Sequence, residues 1–275
     1  MRRALIDGDI LVMKAACVAQ EDVNFAPPGE PADWATDVNP QLADQCVRNS
    51  IAGIKTATEA RKLAIALGPE RESDGRRRYW RHNVLPTYKG NRKKDNGRPP
   101  RLLLGHIREF IIKHFPVCYE PMLEADDIIG IKATSDDVVC TIDKDLRQIE
   151  GLHYNMDHPD RGVEHQTIPD AVRLHYMQML TGDAVDFYKG CPGIGPVKAA
   201  AALADAEAVF KADKDAGEGA DSIHWYYWQQ VVALFENKGL TERDALVQAR
   251  VSRILREGEY DWNTKEVKLW RPPVE

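Results

Sequence analysis

Short apolar runs alternate with longer amphipathic stretches through the first half of the chain. Short apolar runs closed by polar or turn residues predict buried strands, and apolar positions three to four residues apart predict helices. The predicted strands are residues 3–6, 62–67, 117–119 and 137–142. The predicted helices are residues 10–19, 41–61, 102–115 and 124–134. Residues 20–40, which are rich in Pro, Asp and Glu, predict an irregular surface insertion.

This alternation predicts the fold class, an α/β protein with a mostly parallel sheet flanked by helices. From about residue 167 onward the pattern is helical, and residues 260–271 alternate as in a terminal hairpin or packing arm. We therefore expect an α/β core in residues 1–166 and a helical region in residues 167–275. The aromatic run at residues 225–228 is expected to pack inside that helical region, with base stacking as the alternative.

Carboxylates recur where a parallel sheet presents its ligand-binding edge. Asp7 and Asp143 each follow a predicted strand directly, and ligands of such sheets bind beyond the carboxyl ends of the strands. Asp183 and Asp186 are spaced i and i+3, so we expect them to share one face of a helix. The acids of all five clusters are Asp7, Asp9, Asp74, Glu124, Asp126, Asp127, Asp143, Asp145, Asp183 and Asp186. An isolated acid is also typical of a helix cap or a turn, so the prediction depends on their clustering.

The composition of these clusters indicates hard cations. No histidine or cysteine accompanies the acids, and all-oxygen ligand sets favour magnesium or manganese over zinc. Carboxylates gathered without cations would raise one another's pKa and destabilise the fold. Two divalent ions would offset that repulsion, and two-metal sites clamp the attacking and leaving oxygens of a phosphoryl transfer. Whether Asp9 touches a metal stays open at this point.

The distribution of charge indicates a polyanionic partner, although the net charge of the chain is −6. Residues 71–101, called the basic segment below, hold eleven Lys or Arg and three acids, a net charge of +8. Such a segment is typical of contact with a phosphate backbone, although a solvated loop is the alternative. Without nine of the clustered acids, Asp9 being left out, the rest of the chain would carry +3, so the acidic balance does not exclude nucleic acid.

A glycine-proline loop at residues 190–198 precedes the alanine-rich stretch that predicts a helix. Pro196 suits the first helical position, and glycines such as Gly193 and Gly195 let backbone N–H groups approach a phosphate. Lys198 adds a positive charge. The loop is neither a Walker loop nor a dinucleotide fingerprint, and a tight turn is the alternative. It predicts contact with the nucleic-acid backbone that ignores base sequence.

The cysteine pattern and the lack of a long apolar run indicate the cellular compartment in which the protein is expected. Five cysteines lie far apart with no C-x-x-C pair, which favours reduced thiols over a disulfide frame or a zinc site. No apolar run approaches the roughly 18 residues of a membrane span. Acids interrupt the N-terminal apolar stretch, so no signal peptide is expected. We expect a cytoplasmic protein without a membrane partner.

Six motifs together resemble the flap-endonuclease-type 5′-nuclease superfamily and occur in that family's order. The motifs are LIDGD (5–9), LPTYKGNRK (85–93), EADD (124–127), TIDKD (141–145), GDAVD (182–186) and GCPGIGPVKA (190–199). Residues 253–272 are similar to the C-terminus of the 5′→3′ exonucleases of short-tailed bacteriophages. The resemblance implies a PIN-like nuclease core, a helical arch at the basic segment and a helix-three-turn-helix DNA-binding element at the glycine loop.

The resemblance also implies the roles of individual residues. It assigns the first metal's ligands to Asp7, Asp74, Glu124, Asp126 and Asp127, some of them reached through water. It assigns the second metal's ligands to Asp143, Asp145, Asp183 and Asp186. It implies a phosphate-steering role for Lys89 and Arg92, and a potassium ion on the backbone carbonyls of Gly190, Cys191, Gly193 and Ile194. Lys93 is a further candidate for contact with DNA. Tyr88 could stack on the terminal base, and a packing role is the alternative. Glu70 is the alternative to Asp74, because it is the first acid after the strand at residues 62–67.

The function implied is that of a magnesium-dependent 5′→3′ exonuclease that hydrolyses duplex DNA in phage DNA replication, as a monomer in the host cytoplasm. RNA–DNA hybrids and flap DNA are further substrates that the resemblance implies, and flap endonuclease or RNase H activity is the alternative within the family. Two other classes stay open: a nucleic-acid-binding module without catalysis, and a small-molecule phosphatase with Asp7 as nucleophile. Neither accounts for both the clustered acids and the basic segment.

Overall fold

The structure is a computed structural model that describes residues 1–70, 72, 77–91, 98–217, 219 and 222–274. The chain divides into two compact units. The first unit comprises Met1–Arg77, Lys93–Leu146 and Gly151–His165, and the second comprises Arg78–Arg92, Arg147–Glu150 and Gln166–Glu275. The division expected near residue 166 stays a prediction about domains.

The helices and strands of the described residues follow the chain in this order. The strands are β1 (Arg3–Asp7), β2 (Gln20–Asn24), β3 (Trp34–Val38), β4 (Lys62–Leu67), β5 (Val117–Tyr119), β6 (Asp137–Thr141), β7 (Gly151–Asn155), β8 (Val163–Gln166), β9 (Tyr260–Asp261) and β10 (Glu266–Val267). The α-helices are α1 (Gly8–Val18), α2 (Pro40–Thr58), α3 (Leu104–His114), α4 (Ala125–Lys132), α5 (Ile168–Thr181), α6 (Pro196–Ala216), α7 (Ile223–Glu236) and α8 (Glu242–Ser252). Three short 3₁₀ helices are Trp80–Asn83, Lys144–Gln148 and Pro159–Arg161.

The first unit contains a six-stranded sheet in the order β5-β4-β1-β6-β7-β8. β1 pairs in parallel with both β4 and β6, β4 with β5, and β6 with β7. Burial on both faces gives β1 and β6 their nearly continuous apolar sequences. The prediction of an α/β fold with a mostly parallel sheet is therefore confirmed, and the carboxyl ends of β1 and β6 meet at one edge.

For residues 20–40 the structure differs from the prediction of an irregular insertion. They are not irregular, because β2 and β3 pair as an antiparallel hairpin from Gln20↔Val38 to Asn24↔Trp34. The Asn24 side chain accepts hydrogen bonds from the backbone N–H groups of Ala26 and Asp33 at 3.0 and 2.9 Å, which closes the connecting loop. The apolar pattern is too sparse to indicate these exposed strands. It also missed β7, in which only His153 and Tyr154 are buried, and β8, whose residues are partly buried or exposed.

The second unit is mainly helical, as predicted, and its core is aromatic. Tyr226, Tyr227 and Trp228 of α7 are buried with Tyr176 of α5. The predicted packing role of this aromatic run is confirmed. β9 and β10 form the short hairpin that residues 260–271 predicted. No helix in the part of the chain that the structure describes combines the length and apolar composition needed to cross a membrane.

Two glycines provide a matched test of the packing between α1 and the sheet. A Cβ on Gly8 would lie 2.5 Å from the Ala66 carbonyl oxygen, whereas a Cβ on Gly53 would meet nothing within 4 Å. We expect Gly8→Ala to lower the free energy of unfolding by about 1–3 kcal/mol through overpacking. Gly53→Ala in the exposed face of α2 should raise it by about 0.5–1 kcal/mol. Urea denaturation of both variants measures the difference, and a Gly8→Ala variant as stable as wild type would contradict the close approach.

Candidate active site

The parallel register brings Asp7 and β6 together at the carboxyl edge of the sheet. Asp7 is the last residue of β1, and its neighbour Ile6 pairs with Cys140 of β6. The Thr141 hydroxyl donates to Asp7 Oδ2 at 2.9 Å, and the Ile10 backbone N–H donates to Asp7 Oδ1 at 3.2 Å. Asp7 therefore caps α1 and is fixed against β6 at the same time.

Asp143 and Asp145 continue this hydrogen-bonded chain. The backbone N–H of Asp143 donates to the Thr141 hydroxyl at 2.9 Å, and that of Asp145 donates to Asp143 Oδ1 at 2.8 Å. The structure thus brings Asp7 and Asp143 to the two sides of one threonine, as their positions after adjacent strands predicted. Thr141 was not predicted as a site residue, although it is the last residue of β6 and the first residue of the TIDKD motif.

The ionised form of the Asp7 carboxylate is destabilised by its surroundings, and a bound cation would stabilise it. Its pKa is raised to about 7, mainly by burial and also by the nearby charges of Asp9 and Asp143, against the hydrogen bonds from Thr141 and Ile10. Asp7 is only 3% exposed. An all-oxygen set of this kind fits a magnesium or manganese ion, because the ion would stabilise the ionised form.

The third acidic motif lies at the start of α4. Glu124 is the residue preceding the helix, and Asp127 in its first turn is fully buried. The backbone N–H of Glu124 donates to Asp127 Oδ2 at 3.3 Å, so this carboxylate also acts as a cap, while Asp126 is half-buried. A Cβ on Gly68 would lie 2.6 Å from Asp9 Oδ2 and 3.6 Å from the Ala125 nitrogen, so the end of β4, the start of α1 and the start of α4 meet there.

The Asp9 carboxylate is paired with two arginines. It accepts a hydrogen bond from the Gly68 N–H at 3.3 Å, and its carboxylate lies 3.3 Å from Arg77 Nη1 and 3.8 Å from Arg108 Nη1. Arg108 also donates from Nε to the exposed Glu70 at 2.9 Å. Both acids that the sequence left open are therefore paired with arginine. The sequence analysis missed Arg108, because its partners lie 38 or more residues away.

The last two acids lie in the second unit and correct a prediction. Asp183 and Asp186 do not share a helical face, because α5 ends at Thr181 and residues 183–188 form a tight turn. Asp183 Oδ1 accepts the N–H groups of Val185 and Asp186 at 2.6 and 3.0 Å, so the two acids still lie side by side.

Two glycines explain why the helix stops before these acids. Gly182 and Gly190 have φ values of 65° and 64°, in the left-handed region that favours glycine. A Cβ on Gly190 would lie 2.3 Å from the Gly182 nitrogen, so the two backbones touch and close the base of the turn. The i, i+3 spacing could not reveal this contact.

Tyr88 and Lys89 of the basic segment hold Asp186 within the same unit. The Tyr88 hydroxyl donates to Asp186 Oδ2 at 2.7 Å, and Lys89 Nζ lies 3.5 Å from the same oxygen. The Lys89 ammonium also lies 5.1 Å from the ring centroids of Tyr79 and Tyr88. Tyr88 is only 3% exposed, which favours the packing role over base stacking in this conformation.

Arg81 anchors this part of the basic segment. It is 3% exposed and donates to the backbone carbonyls of Val251, in the last turn of α8, and of Arg253, which follows that helix, at 2.9 and 2.6 Å. The described residues 77–91 contain the 3₁₀ helix Trp80–Asn83. A run of eleven basic residues gave no signal that one of them is buried, so the sequence analysis could not single out Arg81.

The glycine loop forms the predicted helix start. Gly195 precedes α6, and Pro196 is its first residue. Lys198 Nζ donates to the Gly193 carbonyl at 3.2 Å, and the Ile194 N–H donates to the Cys191 carbonyl at 3.1 Å. Gly193 and Gly195 are exposed, and a Cβ on either would meet nothing within 4 Å, so the loop surface is open.

The predicted site residues comprise some that lie outside the described residues and two described sets, one in each unit. Asp74, Arg92 and Lys93 lie outside the described residues. Among the residues that are described, no three His, Cys, Asp or Glu side chains form a group with the arrangement of a bound metal. Asp7, Glu124, Asp126, Asp127, Asp143 and Asp145 belong to the first unit, and Asp183 and Asp186 to the second.

The chain is similar to two phage exonucleases and to a solved structure along most of its length. The chain is 28% identical to an exodeoxyribonuclease of Enterobacteria phage T3, over 98% of this chain and 92% of that protein. It is 28% identical to an exonuclease of Escherichia phage T7, over 98% and 93% respectively. A solved structure, a bacteriophage T5 flap endonuclease in a pseudo-enzyme–product complex with DNA and metal ions, matches with a TM-score of 0.56 at 15% identity, over 90% of this chain and 89% of that one. No family model matches.

The match to the T5 flap endonuclease shows a shared fold, the α/β fold with a mostly parallel sheet that the sequence predicted. The chain is similar to the two phage exonucleases along almost its whole length, in agreement with the resemblance that the six motifs indicated. The prediction of a nuclease, a hydrolase of phosphodiester bonds, is thereby confirmed.

The buried carboxylate of Asp7 predicts an unusual pH dependence of stability. Because its pKa rises from 3.8 to about 7 on folding, the folded protein binds more protons between these values, and stability falls as pH rises through them. We expect metal-free Asp7→Asn to be more stable than wild type at pH 8 by about 2–4 kcal/mol, and the gap to close towards pH 4. Urea denaturation with EDTA checks this. A less stable Asp7→Asn variant at pH 8 would contradict the burial penalty.

Proposed function

We propose that this chain is a divalent-metal-dependent 5′→3′ exonuclease that hydrolyses phosphodiester bonds of duplex DNA in phage DNA metabolism. The observation that carries the proposal is the buried Asp7 carboxylate, joined through Thr141 to Asp143 at the ligand edge of the sheet. A buried acid with a raised pKa beside a second acid is costly unless a cation or a reaction uses it. The phage relatives that match the full length are named as exonucleases.

The proposed cofactors are two magnesium ions, with manganese as a substitute. We assign one ion to Asp7, Asp74, Glu124, Asp126 and Asp127, and the other to Asp143, Asp145, Asp183 and Asp186. The oxygen-only donor set and the raised pKa of Asp7 support this assignment. Bound metal would supply a hydroxide nucleophile at neutral pH and neutralise charge on the phosphoryl oxygens. Asp9 is paired with arginines, which favours a structural role for Asp9 over metal coordination.

Lys89 and Arg92 are proposed to stabilise the phosphate under attack. The Lys89 ammonium is held over two tyrosine rings and beside Asp186, and its side chain is only 10% exposed. A partly desolvated ammonium interacts more strongly with a developing negative charge than an exposed one does. Tyr88 would orient Asp186 through its hydroxyl, and this replaces base stacking as its proposed role.

The glycine loop is proposed to hold the DNA backbone. Gly193 and Gly195 are exposed next to the start of α6, where backbone N–H groups and the helix dipole favour an anion. Lys198 lies beside Gly193, and Lys93 is proposed to add a further backbone contact. A potassium ion on the carbonyls of Gly190, Cys191, Gly193 and Ile194 stays part of the proposal, and Lys198 would compete for the Gly193 carbonyl.

Duplex DNA with free 5′ ends is the proposed substrate, acted on by a monomer, with RNA–DNA hybrids as further substrates. Flap endonuclease activity is the second candidate function, because the fold matches a T5 flap endonuclease solved with DNA. Product sizing separates the two. A 5′-labelled duplex should release mononucleotides or short products with magnesium and none with EDTA, and a 3′-labelled duplex should shorten progressively. Binding without cleavage in magnesium would refute the nuclease proposal.

Removing one metal ligand in each unit tests the assignment. Asp143→Asn and Asp183→Asn should each lower the rate of cleavage by at least about 10³-fold, because the missing charge lowers affinity for the ion that supplies the nucleophile. Affinity for duplex DNA in calcium should change by less than threefold. Rapid-quench cleavage and fluorescence anisotropy measure the two effects. Cleavage by both variants at the wild-type rate would refute these ligands.

Lys89→Ala tests the phosphate-steering role. We expect kcat to fall by about 10²-fold with a smaller change in KM, because the charge is needed mainly in the transition state. Lys198→Ala is the comparison, since a lysine that only holds the DNA backbone should raise KM and leave kcat nearly unchanged. Steady-state kinetics on a 5′-labelled duplex measure both. Equal losses in kcat and binding for Lys89→Ala would make it a general backbone contact.

A further inference from the structure

The β2–β3 hairpin, which the sequence analysis set aside as a surface insertion, is bonded to the C-terminal end of the basic segment. Gln20 is 7% exposed, and its side-chain amide uses both donor and acceptor groups at this junction. Its Nε2 donates to the Pro100 carbonyl at 3.0 Å, and its Oε1 accepts the Leu102 N–H at 2.8 Å. One side chain therefore holds the backbone on both sides of Arg101.

Asp22 holds the side chain of Arg101 itself. Arg101 Nη1 donates to Asp22 Oδ2 at 2.9 Å, while Gln20 Nε2 and the Thr36 hydroxyl donate to Asp22 Oδ1, each at 2.9 Å. Thr36 lies directly opposite Asp22 in the hairpin register. The amide, the hydroxyl and the guanidinium hold the pKa of Asp22 below its ordinary value. The carboxylate thus stays ionised, and the junction is a charge-assisted network.

The charge of the hairpin indicates that it acts through the basic segment and not by touching DNA. Residues 20–38 contain five acids and no lysine or arginine. Four of these acids are exposed: Glu21, Glu30, Asp33 and Asp37. A polyanion is repelled by such a surface, so direct contact with a duplex is unfavourable.

We propose that the β2–β3 hairpin is a positioning element for the nuclease reaction, in which Gln20 and Asp22 fix the C-terminal end of the basic segment. This inference rests on the proposed function of Lys89 and Arg92, which belong to the same segment, in stabilising the phosphate under attack. A lysine or arginine that steers a phosphate needs a backbone fixed to well under 1 Å, since small misplacements of reacting groups cost large factors in rate. Gln20 and Asp22 touch neither substrate nor metal and act through Arg101 and its neighbours.

Two variants and one control test the proposal. Gln20→Ala should accelerate hydrogen exchange of the Leu102 amide by at least tenfold, since its acceptor is removed. Gln20→Ala and Asp22→Asn should each lower kcat on a 5′-ended duplex by about 3–10-fold, with KM and manganese affinity within twofold of wild type. Asp157→Asn is the matched control. It breaks a different surface pair in the same unit, with Lys14, and should leave kcat unchanged.

Each outcome separates this inference from the proposed function. Faster exchange at Leu102 with an unchanged kcat in both variants would show a purely structural contact and overturn the positioning role. Unchanged exchange in Gln20→Ala would refute the anchor itself. A loss of manganese affinity in Asp22→Asn would move the effect to the metal ligands and also overturn it. Absence of cleavage by the wild-type protein with magnesium would refute the proposed function, whatever Leu102 shows.

Discussion

The burial of one carboxylate at the end of the central strand is the constraint on which the candidate site depends. β1 lies between β4 and β6, so Asp7 at its carboxyl end has neighbouring strands on both sides and little access to water. Thr141 and the start of α1 hold it there by hydrogen bonds, and Asp143 lies on the far side of Thr141. Parallel pairing makes this arrangement unavoidable, because it aligns the carboxyl ends of adjacent strands. The cost of keeping Asp7 ionised is the physical reason to expect a cation.

The sequence was sufficient for the features that depend on local pattern. Asp7 and Asp143 could be placed at one sheet edge because each follows a strand with a clear apolar run. The start of α6 at Pro196 followed from proline and glycine preferences alone. The turn at Asp183 could not be predicted, because it depends on contact between Gly182 and a residue eight positions later.

Features set by distant partners escaped the sequence analysis for the same reason. The sequence left open whether Asp9 binds a metal, and its pairing with Arg77 and Arg108 is visible only in the structure. Arg81 is one of eleven basic residues in its segment, and only the three-dimensional fold shows that it is buried. The hairpin containing Gln20 has no apolar stripe, so neither its strands nor its bonds to the basic segment were predictable. Acid positions follow from local pattern, and the contacts that orient them do not.

The central claim is that these acids are tolerated because divalent cations neutralise them. Anomalous diffraction from crystals grown with manganese tests it most directly. The account predicts manganese bound to Asp7 and Asp143, with Glu124 among the surrounding ligands. Well-ordered carboxylates at these three positions, with no manganese beside any of them at millimolar concentration, would contradict it.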